Sequence, residues 1–155
     1  VSGWSVWNDA QPAAMNGFVD DYLAYLLARA SHLISSEFHA VVEASGLSLM
    51  EWRVMASLSG KPSLSVGELA DIVLAKQPTV TKLVGRMQEA GWVLRCDAEH
   101  DRRQSLVSLT AAGQRKVQGL LRQAKVHEAR VTADLGPEQT GQLKQILQHL
   151  IASHG

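Results

Sequence analysis

At 155 residues, the chain has the length of a single domain that can bury a hydrophobic core. Hydrophobic residues make up 46% of it and charged residues 19%, which excludes an intrinsically disordered chain. The 15 basic residues balance the 15 acidic ones, so net charge does not indicate a nucleic-acid partner, and only the local placement of charge can reveal one.

The N-terminal part of the chain is predicted to be a tail followed by one long helix. Residues 1–16 form the tail, and Trp4 and Trp7 favour its docking on its own fold or on a partner subunit, with ligand contact as the alternative. Apolar residues recur at steps of three and four across residues 17–45, which predicts a helix, and Gly46 is placed to end it. The apolar stripe is wide, so the helix is expected to pack on more than one surface.

Two shorter helices are predicted next from their capping signals. Ser48 and Glu51 have the spacing of a capping box, which opens a helix that runs to about Leu58. Ser65 and Glu68 repeat that spacing and open a second, short helix.

A further helix is predicted to begin near Gln77 and Pro78 and to run to Gly91, with proline tolerated in the first turn. Gln77 is a weaker N-cap than Ser or Asp, and Gly85 inside the helix costs about 0.5–1 kcal/mol relative to alanine. One face of this helix is apolar: Val80, Leu83, Val84 and Met87. The opposite face is polar or cationic: Gln77, Thr79, Thr81, Lys82 and Arg86.

The periodicity then changes to that of a β-hairpin. Residues 92–97 and 103–109 are short segments rich in Val, Leu and Ser, and a polar tip at 98–102 separates them. Thr110 is predicted to cap the next helix, and a last helix follows a break at 136–138. Apolar residues share one stripe of that last helix: Leu143, Ile146, Leu147, Leu150 and Ile151.

This order of elements predicts a mainly α fold with a small β wing, the winged helix-turn-helix. A recognition helix buries one face and offers short polar or cationic side chains on the other. The polar face that begins at Gln77 meets this demand, because its side chains suit base edges and phosphates. A merely solvated helix face is the alternative for this pattern.

The predicted wing favours the DNA-binding interpretation. Asp101, Arg102 and Arg103 place two guanidinium groups beside a carboxylate at the tip. Arginine is favoured in a narrow, electronegative minor groove, and a neighbouring aspartate can hold one guanidinium extended. A charged hairpin that only keeps a sheet edge soluble is the alternative. The helix pair directly upstream favours contact with double-stranded DNA.

Five motifs stand out along the chain: Leu69-Ala70, Pro78-Thr-Val-Thr-Lys-Leu-Val, Gly91-Trp-Val, Asp101-Arg-Arg103 and Leu109-Thr-Ala-Ala-Gly113. By these motifs the chain resembles the multiple-antibiotic-resistance regulator (MarR) family, from about residue 20 to its C-terminus. The resemblance implies a homodimer with interlocking terminal helices, a near-palindromic operator and, in many members, release by a small phenolic or aromatic-acid ligand. It also implies that Arg103 is the minor-groove arginine, that Asp101 orients it, and that Arg102 lies near phosphates.

The resemblance implies one compact domain with three functional parts. The tail occupies 1–16, the DNA-binding lobe occupies 47–110, and the dimerisation helices occupy 17–46 and 111–155. The long first helix and the apolar last helix are expected to form the dimer core. Repression is the outcome that the resemblance favours.

The resemblance also implies an effector pocket between the dimer helices and the DNA-binding lobe. Trp52 offers a flat aromatic surface there, and the adjacent Arg53 can bind a carboxylate through two hydrogen bonds. Polar residues also interrupt the apolar first helix: Ser31, His32, Ser35 and His39. These six residues are the predicted site for an aromatic carboxylic acid. The alternative has Trp52 in the core, Arg53 in an ion pair, and the histidines facing solvent or the dimer seam.

Other classes of function have less support. Cys96 lies in the predicted wing, away from the N-terminal position of the reactive cysteine in peroxide-sensing relatives, so an oxidant sensor is disfavoured. A metal sensor needs clustered ligands, whereas the histidines are scattered: His32, His39, His100, His127, His149 and His154. A winged-helix protein-interaction module is a further alternative, because fold does not determine function.

No enzyme motif and no cofactor motif occurs, so we expect a regulator that is not an enzyme and that has no cofactor. A single cysteine, no apolar run of membrane length and no signal-peptide pattern predict a cytoplasmic protein.

Overall fold

The structure is a computed structural model that describes residues 17–98 and 101–155, with side chains described for 17–97 and 104–155. The predicted tail, with Trp4 and Trp7, lies outside the described residues. The chain divides into two units, residues 1–37 and 38–155, and each is taken by itself below.

The first described segment is a 3₁₀ turn at Phe18–Asp21, after which helix α1 spans Leu23–Ala44. The prediction of one helix across residues 17–45 is therefore wrong at its start. Tyr22 between the two elements is extended, with φ −87° and ψ 114°. The N–H of Gly17 donates to the Asp20 carboxylate at 3.0 Å, so the turn is closed by a local side chain instead of by a longer helix.

The second unit holds the end of α1 and five further helices. Their bounds are α2 Leu49–Leu58, α3 Val66–Val73, α4 Gln77–Glu89, α5 Ala111–Val131 and α6 Gly136–His154. Gly46 adopts φ +83° directly after α1, which confirms its predicted role in ending that helix.

Both predicted capping boxes are confirmed. At the start of α2, the N–H of Glu51 donates to Ser48 Oγ at 3.1 Å, and the N–H of Ser48 donates to the Glu51 carboxylate at 2.8 Å. Ser65 and Glu68 make the same pair of bonds at the start of α3. The bonds from the Ser65 backbone and hydroxyl lower the pKa of Glu68. The charged carboxylate of Glu68 therefore stabilises the fold at neutral pH. This contribution to stability is lost as the pH falls through the folded pKa of Glu68.

The wing is a three-stranded antiparallel sheet in the order β1-β3-β2. The strands are β1 Leu64–Ser65, β2 Val93–Ala98 and β3 Asp101–Leu109. The predicted hairpin is confirmed, but β3 begins at Asp101, inside the predicted tip. The strand β1, which pairs Leu64 with Val107, was not predicted, because two residues are too few to show alternation.

The core of the second unit lies among the end of α1, α2, α3, α4, the sheet and the first half of α5. Its fully buried side chains are Val42, Val54, Met55, Leu58, Leu69, Val80, Val84, Met87, Val93, Val107 and Val117. The predicted apolar face of α4 is buried throughout, whereas α6 has no buried residue. The mainly α fold with a β wing is thus confirmed. Across the described ranges, no helix combines the length and apolarity needed to cross a membrane.

Candidate nucleic-acid interface

Helix α4 presents the predicted DNA-reading face to solvent. All five of its predicted contact residues are exposed: Gln77, Thr79, Thr81, Lys82 and Arg86. The opposite face is anchored in the core by Val80 and Val84, which are fully buried. Packing on one side therefore fixes which side chains face outward on the other. The helix begins after Lys76 and not after Gln77, and its N-cap makes no side-chain hydrogen bond.

Gln77 also contacts the first turn of α3, which was not predicted. Gly67 lies so close that a Cβ added to it would be 3.1 Å from Gln77 Nε2. The missing side chain of Gly67 therefore leaves room for the Gln77 amide. The amide of Gln77 therefore lies beside the first turn of α3.

The turn between α3 and α4 depends on backbone geometry. Leu74 adopts the left-handed conformation, with φ 57° and ψ 45°, and its side chain is 90% exposed. This conformation costs a residue with a Cβ about 1–2 kcal/mol, and Leu74 does not offset that cost by packing in the core. The N–H of Ala75 donates to the Ala70 carbonyl at 3.0 Å across the turn. Backbone contacts, not side-chain packing, thus set the path from α3 into α4.

The wing carries the second group of predicted DNA contacts. β2 and β3 pair from Val93 and Leu109 at the base to Ala98 and Asp101 at the outer end, with an irregularity between Asp97 and Ala98. The backbones of Asp101, Arg102 and Arg103 lie in β3, but their side chains lie outside the described residues. Their roles in DNA binding therefore stay predictions.

The base of the wing is a tight joint between two backbone segments. The carbonyl of Trp92 accepts a hydrogen bond from the N–H of Thr110 at 3.1 Å. The Thr110 hydroxyl donates to the Gly91 carbonyl at 2.6 Å and accepts from the N–H of Gly113 at 2.9 Å. A Cβ added to Gly113 would overlap the Trp92 carbonyl. The Leu-Thr-Ala-Ala-Gly motif at 109–113 is thus explained by its packing against the start of β2.

Lys116 joins this wing base to the end of α1. Its ammonium donates to the Ser45 carbonyl at 2.6 Å and lies 5.7 Å from the centre of the Trp92 ring. Sequence reasoning did not single out this residue. A signal was present, because Lys116 lies on the face of α5 that also carries the buried Gly113 and Leu120.

The structure divides the predicted effector residues between the two units. In the first unit, Ser31 and His32 are exposed and Ser35 is half-buried on α1. In the second unit, His39 and Trp52 are half-buried and Arg53 is exposed.

The second unit places an aromatic cluster at three of its helices. The ring of Phe38 lies 5.6 Å from that of Trp52 and 5.6 Å from that of His127. His39 follows Phe38, and its Nε2 atom is buried with no hydrogen-bond partner among the residues that the structure describes. An unsatisfied buried polar atom is unfavourable, so this one calls for a partner that the described residues do not supply.

An open depression of about 440 Å³ lies elsewhere on the second unit. Its lining residues are Ala40, Val41, Ala44, Ser45 and Gln123. None of the six predicted effector residues lines it, so the predicted site stays a prediction.

The structure also shows where the residues that an oxidant sensor or a metal sensor would need lie. Cys96 is an exposed free thiol in β2. Within the described part of the chain, His, Cys, Asp and Glu side chains do not come together in groups of three or more that could hold a metal ion.

Comparison with known proteins identifies a family. Residues 45–104 match the sequence model of the MarR family. A solved MarR family transcriptional regulator from Silicibacter pomeroyi has a TM-score of 0.79 and 34% identity, covering 90% of this chain and 100% of that chain. An HTH-type transcriptional repressor from Mycobacterium bovis is 30% identical over 135 residues, 86% of this chain and 97% of the relative. The homoprotocatechuate degradative operon repressor of Escherichia coli is 29% identical over 132 residues, 85% of this chain and 89% of the relative.

Proposed function

The chain belongs to the MarR family of transcription regulators, and from this premise we propose that it is a dimeric repressor of a palindromic operator, released by an aromatic carboxylic acid. The observation that carries the DNA-binding part is the exposed polar face of α4 above a buried face. On this face Thr79, Lys82 and Arg86 follow each other at steps of three and four, so they share one side of the helix.

The uncovered apolar surfaces support a homodimer. In the first unit, exposed apolar side chains include Phe18, Leu23, Leu26, Leu27, Leu33 and Ile34. In the second unit, α6 exposes Leu143, Ile146 and Ile151 and buries none of its residues. Apolar surface of this extent marks an interaction site, and we assign it to a second copy, with 17–46 and 111–155 as the dimerisation helices. A two-fold dimer supplies two recognition helices for half-sites about one helical turn apart.

The effector class is supported by chemistry and by one relative. The name of the Escherichia coli relative connects that protein to an operon for the degradation of homoprotocatechuate, an aromatic carboxylic acid. In this chain, Trp52 and Phe38 supply aromatic surface, and the buried Nε2 of His39 can meet a polar substituent. Arg53, which is exposed, is proposed to bind the carboxylate.

A thermal-shift screen tests the effector part of this function. Aromatic acids, with homoprotocatechuate among them, are compared with divalent metal ions as a control arm. A ligand that binds only the folded protein stabilises it by about 2.7 kcal/mol at 100 times its Kd. Stabilisation by an aromatic acid that also releases DNA supports the proposal. Stabilisation by a metal ion alone would replace the aromatic acid with a metal as the effector.

The Lys82→Ala substitution is expected to lower the salt dependence of operator binding. Lys82 is proposed to neutralise one phosphate, so the slope of log K against log salt concentration should fall by about one unit. Binding is measured by fluorescence anisotropy over a series of salt concentrations. Lys61→Ala, at an exposed lysine between α2 and β1, is the control and should keep the wild-type slope. An unchanged slope for Lys82→Ala would remove the phosphate contact from the proposal.

The Arg53→Ala substitution is expected to separate DNA binding from effector response. Operator affinity should be unchanged, since Arg53 lies on α2 and outside both predicted DNA-binding elements. Release by the acid found in the screen should be lost, because the carboxylate loses its guanidinium partner. Release is measured by titrating the acid into the protein–operator complex, with Arg130→Ala as the control. Release at the wild-type acid concentration would place the carboxylate elsewhere.

A further inference from the structure

We propose, on the DNA-binding function proposed above, that Lys116 is a positioning residue that fastens the base of the wing to the C-terminal end of α1. Through Lys116, a displacement of that helix end reaches β2, which pairs with β3, the strand that carries Arg103. Lys116 does not contact the surface of α4 or of the wing that is predicted to face DNA. It acts through Trp92 and Ser45.

The first end of this link is the last turn of α1. The end of a helix leaves carbonyl groups without an intrahelical partner, and Ser45, just past the end of α1, presents such a group. Lys116 satisfies it with a hydrogen bond of 2.6 Å from its ammonium. Because the donor is charged and Lys116 is half-buried, this bond is stronger than one between neutral groups at the surface. The link spans 71 residues of sequence, so it joins elements that are distant along the chain.

The second end of the link is Trp92, which connects both predicted DNA-reading elements. The N–H of Trp92 donates to the Met87 carbonyl in α4 at 3.0 Å. Its carbonyl accepts from Thr110, and β2 begins at the next residue, Val93. The ammonium of Lys116 lies 5.7 Å from the centre of the Trp92 ring, within range of a cation–π interaction. A change in the position of Lys116 is therefore felt at the end of α4 and at the start of the wing.

The chain offers a matched pair of glycines with which to test this link. Gly46 follows α1 with φ +83°, and Gly60 follows α2 with φ +79°. A Cβ added to either one would meet no atom within 4 Å, so alanine perturbs only the backbone conformation at each site. Gly46→Ala therefore disturbs the helix end that Lys116 holds. Gly60→Ala makes the same local change at a helix end that Lys116 does not contact.

Native-state hydrogen exchange of the full chain is the experiment, and it requires neither operator nor effector. Gly46→Ala is expected to speed exchange of the β2 amides at Val93–Asp97 by about tenfold. In a Lys116→Met background, which removes the ammonium and keeps most of the apolar stem, the added effect of Gly46→Ala on β2 should vanish. Exchange of the amide of Leu69, a fully buried residue of α3 outside the proposed link, serves as the reference for global unfolding and corrects for any general loss of stability. Gly60→Ala and Lys125→Met should leave β2 exchange at the wild-type rate after this correction.

The proposal would be overturned if Gly46→Ala sped exchange of the β2 amides equally in the wild-type and Lys116→Met backgrounds. It would also be overturned if Gly60→Ala sped that exchange as much as Gly46→Ala does. Should Gly46→Ala prove too unstable to purify, Gly46→Asn serves the same purpose, because asparagine tolerates the left-handed conformation better.

Operator binding supplies a second, independent readout. Lys116→Met is expected to weaken operator binding in the wild-type background and to have a smaller effect in an Arg103→Ala background, since part of its effect passes through the wing. Fully additive losses would mean that Lys116 does not act through the wing, and would overturn its role in positioning the wing. Absence of operator binding by every variant and by the wild type would contradict the proposed function alone, because the exchange result would still stand.

Discussion

Replacing Arg103 with alanine is expected to weaken operator binding by about 1–3 kcal/mol, a five- to 150-fold rise in Kd at roughly 1.4 kcal/mol per factor of ten. Arg103 follows the turn of the wing in β3 and is proposed to enter the minor groove, where a guanidinium gains most from the electronegative surface. The Kd is measured by gel-shift titration at one fixed salt concentration.

Arg53→Ala is the matched control for this prediction. Arg53 lies in α2, outside both predicted DNA-binding elements and both proposed dimerisation segments, and its replacement removes the same charge from the chain. Equal losses in the two variants would mean that only net charge matters. A wild-type Kd for Arg103→Ala would remove this residue from the groove and leave α4 as the only proposed source of base contacts.

Replacing Gly113 with alanine is expected to lower the free energy of unfolding by about 3 kcal/mol, the upper end of the usual range for overpacking. The added Cβ would overlap the carbonyl oxygen of Trp92, and neither backbone can move freely. Thr110 holds one of these segments by its hydrogen bonds, and the pairing of β2 with β3 holds the other. Urea unfolding followed by circular dichroism measures the change.

Gly85→Ala is the opposite case in the same lobe. Gly85 lies inside α4, and a Cβ added there would meet no atom within 4 Å. Alanine should therefore raise the free energy of unfolding by about 0.5–1 kcal/mol, because it loses less backbone entropy in a helix. If Gly113→Ala left the free energy of unfolding unchanged or raised it, as is expected for Gly85→Ala, close packing at the wing base would not be what requires Gly113.

Features that depend on neighbouring residues were predictable from the sequence. The capping boxes at Ser48 and Ser65 involve side chains three residues apart, and both are present in the structure. The buried face of α4 follows from a helical period, and Val80 and Met87 are indeed fully buried. The exposed polar face is the necessary complement of that pattern.

Features that depend on distant residues were not predictable. The strand β1 exists because Leu64 meets Val107, and no local period indicates that pairing. The start of α1 was misplaced because the Asp20 carboxylate competes locally with helix formation. In the candidate site, the contact of Gln77 with Gly67 and that of Lys116 with Ser45 both require the tertiary fold. Sequence pattern predicted which face of α4 is exposed, and packing determines what holds the helix in place.

The uncovered stripe of α6 has a practical consequence for any binding curve. In the proposed dimer, binding of one DNA-binding lobe to its half-site holds the second lobe close to the other half-site, at a high effective concentration. A single chain lacks this gain in affinity. Dilution below the pairing affinity should therefore turn a simple operator isotherm into a sigmoidal one. Ile151 is 71% exposed and lies far along the chain from α4. At low protein concentration, Ile151→Asp should therefore weaken operator binding as the loss of a DNA contact would. A high protein concentration should restore binding.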